Sequence, residues 1–296
     1  MILNALSPDE WRQAGRKFPH HGHEVFYRDS GGSLPPLLLI HGFPTASWDF
    51  YRIWDALTPR YRVLAPDLIG FGFSAKPANH PYSILDQAEL CANLCARQQL
   101  SEIHVLAHDY GVSVAQELLS LHEEGRGAIR IKSIAFLNGG LFPESHRPLM
   151  LQKLLRSPLG PLMVAFIKEE KLTQSMRKIF GPKTQPNAKE CKAFWELVSH
   201  NNGQKIMPRL IRYIDERIVR RDRWVSAMQF TRVPMRLISG AADPISGEHM
   251  AARYQELIPN PDIVLLPEIG HYPQMEAPDL VLQALFDFHE RVKRIR

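Results

Sequence analysis

The chain has 296 residues, 45% of them apolar, enough to bury one large α/β core or a core with an insertion, and too many for a chain that is mainly disordered. Its net charge of +5 gathers in "RLIRYIDERIVRRDRW", residues 209–224. Acidic residues interrupt that stretch and no nucleic-acid motif accompanies it, so it reads as a solvated helix face and excludes a nucleic-acid partner; such a helix could also meet a partner protein or an acidic membrane surface. The N-terminus lacks a basic start followed by an apolar run, and no segment approaches about 18 uninterrupted apolar residues. The expectation is a soluble, cytoplasmic protein with three reduced cysteines, Cys91, Cys95 and Cys191.

Apolar, β-branched runs alternate with amphipathic segments of helical length. "EVFYRDSGG" and "PPLLLIHG" are predicted strands, "ASWDFYRIWDAL" a helix, "YRVLAPDLIG" a strand and "ILDQAELCANLCARQQL" a helix. "IHVLAH", a helix from Tyr110 and the strand "IKSIAFLNGG" follow. Much later, "VPMRLISGAAD" and "DIVLLPEIGH" supply two more strands, each leading into a helix. This order predicts an α/β fold with a mostly parallel sheet covered on both faces. Residues 142–230 break into helical stretches at Gly and Pro, and the sheet pattern resumes at Val233. We read residues 1–141 and 231–296 as the core and 142–230 as an inserted helical lid.

Open parallel sheets carry function at the carboxyl ends of their strands. "HGFP", "HDYG", "GAADP" and "GHYPQMEAP" follow strands in that way. In Ala107-His108-Asp109-Tyr110-Gly111, small residues flank the kind of sharp strand-to-helix elbow that pushes its central side chain, Asp109, above the sheet. An aspartate near a helix start is also a common cap. Asp243 after one later strand and His271 after the next give the order nucleophile, acid, histidine, which is that of the α/β-hydrolase triad.

Together "HGFPTASWDF", "PDLIGFGFSAKP", "HDYG" and "GHYPQMEAP" resemble the aspartate-nucleophile branch of the α/β-hydrolases, which contains the epoxide hydrolases and haloalkane dehalogenases. The likeness covers essentially the whole chain. A carboxylate is ionised at neutral pH and can displace directly at saturated carbon, which gives an alkyl ester on Asp109. The resemblance implies that His271, oriented by Asp243, then activates the water that hydrolyses it, while the backbone N–H groups of Phe43 and Tyr110 hold the oxyanion.

The resemblance leaves the leaving group open. The Trp and Asn or Trp donors that dehalogenases place beside the nucleophile are here Tyr110 and Phe43, and Val225 in "RWVSAM" stands where epoxide hydrolases carry a lid tyrosine. Tyr213 shares an apolar helical face with Ile206, Leu210 and Ile214, and either packs in the core or offers a hydroxyl to the pocket. Trp195 and Trp224 are candidate indole donors, though such residues are more often core aromatics. Asp67 reads as structural, and Ser113 lies inside a helix, which disfavours a serine esterase. "HHGH", residues 20–23, might suggest a metal, yet it precedes an edge-like strand and reads as lacking carboxylate or cysteine partners, so no metal is expected, and no organic cofactor. The expected substrate is a small apolar organic molecule, with epoxide hydrolysis leading and dehalogenation second. A rival reading keeps the pocket as a receptor for a small ligand without catalysis; loss of a triad member would have favoured it, and none is lost.

Overall fold

The computed structural model describes residues 6–164 and 167–295. Among the described residues, eight strands form one sheet: β1 (Arg16–His20), β2 (His23–Asp29), β3 (Pro36–Ile40), β4 (Arg62–Pro66), β5 (Glu102–Ala107), β6 (Arg130–Phe136), β7 (Met235–Gly240) and β8 (Ile263–Leu266). The order across the sheet is β1-β2-β4-β3-β5-β6-β7-β8. Only the β1–β2 and β2–β4 pairings are antiparallel; the rest are parallel, as the alternation of strands and helices predicts. The central strands are buried along nearly their whole length, including Leu37 to Ile40 and Ile103 to Ala107. A strand sandwiched between helix layers requires such a continuous apolar run.

The sequence reading missed β1, whose "RKFPH" is mostly polar and contains Pro19. Its edge position resolves this, because an edge strand has solvent on one side and needs neither a continuous apolar run nor every N–H. Also unpredicted is the helix Pro8–Gln13, which a reciprocal capping box between Ser7 and Glu10 starts and which buries Trp11.

Between β6 and β7 the chain leaves the sheet and forms a run of helices, the longest being Ala188–Ser199 and Tyr213–Phe230. The expected continuous face through Ile206, Leu210, Tyr213 and Ile214 is interrupted: a short helix ends at Leu210 and the next starts at Tyr213. All four side chains are nevertheless buried. The long helix packs on Tyr110–Glu123, the helix that follows the elbow.

The basic stretch is not simply a solvated face. Arg221 pairs with Glu144 at 2.6 Å, Arg223 with Glu117 at 2.6 Å and Glu124 at 3.0 Å, and Arg217 is fully buried. Arg209, Arg217 and Arg223 tie the insertion to the core, while Arg221 pairs within the insertion.

Candidate functional site

Asp109 sits between β5 and the Tyr110–Glu123 helix with φ 45° and ψ −103°, a backbone conformation that L-residues rarely adopt. The neighbours make this turn affordable. A Cβ on Gly111 would lie 2.3 Å from the carbonyl oxygen of Ile40, and one on Gly42 would lie 2.8 Å from the Cβ of Asp109 itself. Smallness at 42 and 111 lets the elbow press against the loop after β3. The Asp109 N–H donates to the Asn138 carbonyl at 2.8 Å, which ties the turn to the end of β6 as well.

The "HGFP" loop is placed by His41. Its Nε2 accepts from the Leu68 N–H at 3.0 Å, so the proton lies on Nδ1, which donates to the Gly42 carbonyl at 2.8 Å. Burial holds this imidazole neutral, with its pKa lowered to about 4. The loop then delivers the Phe43 N–H to Asp109 Oδ2 at 2.9 Å. The Tyr110 amide is the first of the helix after the elbow, where unpaired N–H groups favour negative charge.

Asp243 and His271 complete the set. His271 Nδ1 lies 2.7 Å from Asp243 Oδ2, and its Nε2 lies 3.8 Å from Asp109 Oδ1. Asp243 also accepts from the Ile245 and Ser246 amides, the Ser246 hydroxyl and the Asn138 side chain. Burial alone would raise its pKa; His271 and these donors outweigh burial and hold it down at about 2. For His271 burial works downward, but Asp243, Asp109 and Glu276 together outweigh it and raise the imidazole to about 9. The imidazole lying between the two carboxyl groups is thus favoured in its protonated form.

Three further residues hold this arrangement and escaped the sequence reading. His108, kept neutral by burial with its pKa lowered to about 3, donates from Nε2 to the His271 carbonyl at 2.8 Å. Glu276 accepts from the Gly270, Tyr272 and Gly181 amides, joining the histidine loop to the insertion. Arg217, on the Tyr213–Phe230 helix, donates from Nε to Ser113 Oγ at 2.6 Å and from Nη2 to the Asp109 carbonyl at 2.9 Å, with Nη2 4.0 Å from Asp109 Oδ1. Its guanidinium lies 4.4 Å from the Tyr213 ring centre. A signal existed: positions 213, 217 and 224 follow helical spacing, which puts Arg217 on the buried face beside Tyr213 and Trp224.

The remaining candidates separate. Tyr213 is buried with its ring against those of Phe43 (6.2 Å) and Tyr110 (4.8 Å), and it stands behind Phe43 rather than among the residues lining the cavity over Asp109. Among the described residues its hydroxyl makes no well-formed hydrogen bond, with the Arg217 guanidinium the charged group beside it. Trp224 is a correction: its indole N–H donates to Glu117 at 2.7 Å and is unavailable to a ligand. Trp195 is another; it lines an open surface groove with Lys168, Glu169 and Thr173. Val225, in place of a second lid tyrosine, is packed in the core. Asp67 is structural, accepting from the Ser47 and Phe73 amides, and Ser113 serves as the acceptor for Arg217. Above Asp109 and His271 opens a narrow apolar cavity whose walls include Phe43, Leu149, Leu172, Met176, Ile179 and Ile245. Among the described residues, the one His/Cys/Asp/Glu grouping with ligand spacing, His20, His21 and Asp86, lies outside it.

Residues 35–278 match the family model for the alpha/beta hydrolase fold. The chain is 40% identical to the mesoderm-specific transcript protein of Mus musculus, with 96% of this chain and 88% of that protein covered. It is 38% identical to LipZ of Mycobacterium tuberculosis, covering 95% and 98%. Among solved structures it superposes on haloalkane dehalogenase DbeA from Bradyrhizobium elkani USDA94 with a TM-score of 0.80 at 20% identity, covering 95% and 99%, a likeness of fold. The sheet order, the elbow and the family match agree: the chain belongs to the α/β-hydrolase family.

Proposed function

We propose that the protein hydrolyses a small apolar substrate through a covalent alkyl ester on Asp109, and that the substrate is an epoxide. The observation that carries this reading is the division of labour at Asp109: Oδ2 accepts the Phe43 N–H, while Oδ1 lies toward His271 Nε2 and the Arg217 guanidinium. A carboxylate so held has one oxygen in the oxyanion hole and the other available for attack.

In the first step Oδ1 attacks a ring carbon, the ring C–O bond breaks, and the departing oxygen takes the phenolic proton of Tyr213, which packs behind the cavity wall at Phe43 and reaches the substrate by a shift of that ring. Arg217 beneath the Tyr213 ring favours the phenolate that forms. Esterification removes the negative charge of Asp109, one of the groups that raise His271, so the imidazole becomes more acidic once the ester exists. Its proton passes to the phenolate, and the neutral ring becomes the base. Water then gives a proton to His271 and its oxygen to the ester carbonyl. The oxyanion on Oδ2 faces the Phe43 and Tyr110 amides, and collapse expels the alkoxide, which takes the acid proton. Asp109, imidazolium His271 and the Tyr213 phenol are restored, and the product is a diol.

Haloalkane dehalogenation uses the same ester but needs N–H donors for a halide. Trp224 is committed to Glu117, and Trp195 lies in a surface groove, which favours the epoxide. The helical insertion, whose Leu172, Met176 and Ile179 line the cavity, serves as the lid. Panels of terminal epoxides and of chloro- and bromoalkanes test the choice. Diol formation that depends on both Asp109 and Tyr213 is expected; halide release without diol formation would transfer the reading to dehalogenation.

A further inference from the structure

We propose that the β1–β2 hairpin and the helix Ile84–Arg97 together form a binding site for one divalent transition-metal ion, zinc first, held by His20, His21 and Asp86 and completed by Glu89. The carboxylate next to the "HHGH" stretch, Glu24, pairs with Lys17 at 2.7 Å, and the fold supplies two others. The hairpin sets β1 at the edge of the sheet and turns at His21 and Gly22, both with positive φ, so that His20 and His21 face the first turns of the helix.

His20 Nε2 lies 3.2 Å from Asp86 Oδ1, His21 Nε2 lies 3.7 Å from the same oxygen, and His21 Nε2 lies 3.3 Å from Glu89 Oε1. One ligand atom from each of His20, His21 and Asp86 falls within 4.8 Å of the other two. Ligands about 2.0–2.1 Å from a tetrahedral zinc are separated by roughly 3.4 Å, so small adjustments would bring the His20, His21 and Asp86 atoms to ligand spacing. The half-exposed Glu89 side chain, near only His21 of this group as it stands, would swing in as the fourth. Two imidazoles with carboxylates form a donor set suited to zinc, copper or nickel rather than to magnesium or calcium, which take oxygen.

Support from surrounding residues is also in place. The side chain of His20 is wholly buried, which fixes its ring, and His80 Nε2 lies 2.6 Å from Asp86 Oδ2, which orients the carboxylate. Asn93 Nδ2 lies 3.4 Å from His20 Nδ1. When a metal takes Nε2, the imidazole proton moves to Nδ1, and a half-turn of the Asn93 amide offers it an oxygen acceptor. Metal-ligating histidines usually have such a partner on the other ring nitrogen. The bound ion would clip an edge hairpin to a core helix, so its effect falls on the stability of that edge and leaves the Asp109 site untouched.

The test uses the full chain, stripped with a chelator and titrated with Co²⁺, whose visible absorption reports tetrahedral ligation, and then with Zn²⁺ in competition. One equivalent should bind, and Zn²⁺ should raise the melting temperature. His21→Ala removes a half-exposed imidazole, so its folding should be preserved, while metal affinity falls at least roughly tenfold and the Zn²⁺-dependent rise in melting temperature disappears. Asp86→Asn should abolish binding; if that variant does not fold, His21→Ala and Glu89→Gln decide. Absence of stoichiometric binding by the wild type, binding only at millimolar metal, or equal affinity in His21→Ala would overturn the proposal.

Discussion

The loops at the carboxyl ends of the strands and the Tyr213–Phe230 helix both reach Asp109, but in different ways. The loops bring side chains whose positions follow from local backbone chemistry: a tight elbow, a Gly-rich approach, a histidine after a strand. The helix brings Arg217 and Tyr213 through packing between distant parts of the chain, and it holds Asp109 by its main-chain carbonyl. On the proposed mechanism, the reacting groups stand at the strand ends, whereas their fine placement and the choice of leaving group lie in the insertion.

Substitutions can break this comparison, beginning with the sheet. Asp109→Asn removes the attacking oxygen and should reduce turnover by about 10³-fold or more with folding intact, because asparagine tolerates positive φ. Arg217→Met comes next. It leaves the Asp109 carbonyl without its guanidinium donor in a buried place, so kcat should drop roughly 10²-fold and stability by about 1–3 kcal/mol. Arg217→Lys should recover little of either, since an ammonium cannot reproduce the fork that spans Ser113 Oγ and the Asp109 carbonyl. Activity and stability of purified variants report both effects. If Arg217→Met turns over at the wild-type rate, the insertion does not position the nucleophile.

Tyr213→Phe separates chemistry from packing. Among the described residues its hydroxyl makes no well-formed hydrogen bond, so removal should cost little stability in a denaturant titration, while epoxide turnover should fall about 10-fold to 10²-fold. Trp224→Phe should do the reverse: loss of the bond to Glu117 should cost about 2 kcal/mol, with turnover within about twofold of wild type.

The strand-end residues were legible because their signals are short: apolar runs stop, Gly and Pro mark the turn, and the polar residue that follows has one place to go. Asp109, Asp243, His271 and the Phe43 loop come from such signals, and the structure brings them together. Strand β1 was hidden by its polarity and Pro19, and Arg217 by its setting in a run of arginines that pair at the surface. Trp195 and Trp224 show the opposite limit: a tryptophan in an insertion does not say whether its indole meets a ligand, a carboxylate or solvent. The HHGH stretch lacked meaning until the fold brought Asp86 and Glu89, more than sixty residues away in sequence, beside it.

Smallest of the expected effects is the dependence of stability on pH, which again distinguishes the groups. The raised pKa of His271 means that the folded state binds its proton more tightly than the unfolded chain does. That contribution is complete below pH 6.5 and is lost as the pH rises through about 9. His41 and His108 shift the other way, to about 4 and about 3, so their contribution is complete above pH 6.5 and is lost as the pH falls toward those values. Melting temperature should therefore peak near neutrality, and His271→Gln should flatten only the alkaline side. An unchanged alkaline slope in that variant would show that the ion pairs around His271 do not stabilise the fold.

The central claim is a covalent ester on Asp109 that needs His271 for its release. Incubating His271→Gln with the epoxide panel, followed by intact-mass and peptide mass spectrometry, tests it most directly. The account predicts a protein heavier by the mass of one epoxide, with the addition on the peptide that contains Asp109. Failure to accumulate any adduct with an epoxide that the wild type converts to a diol would contradict it.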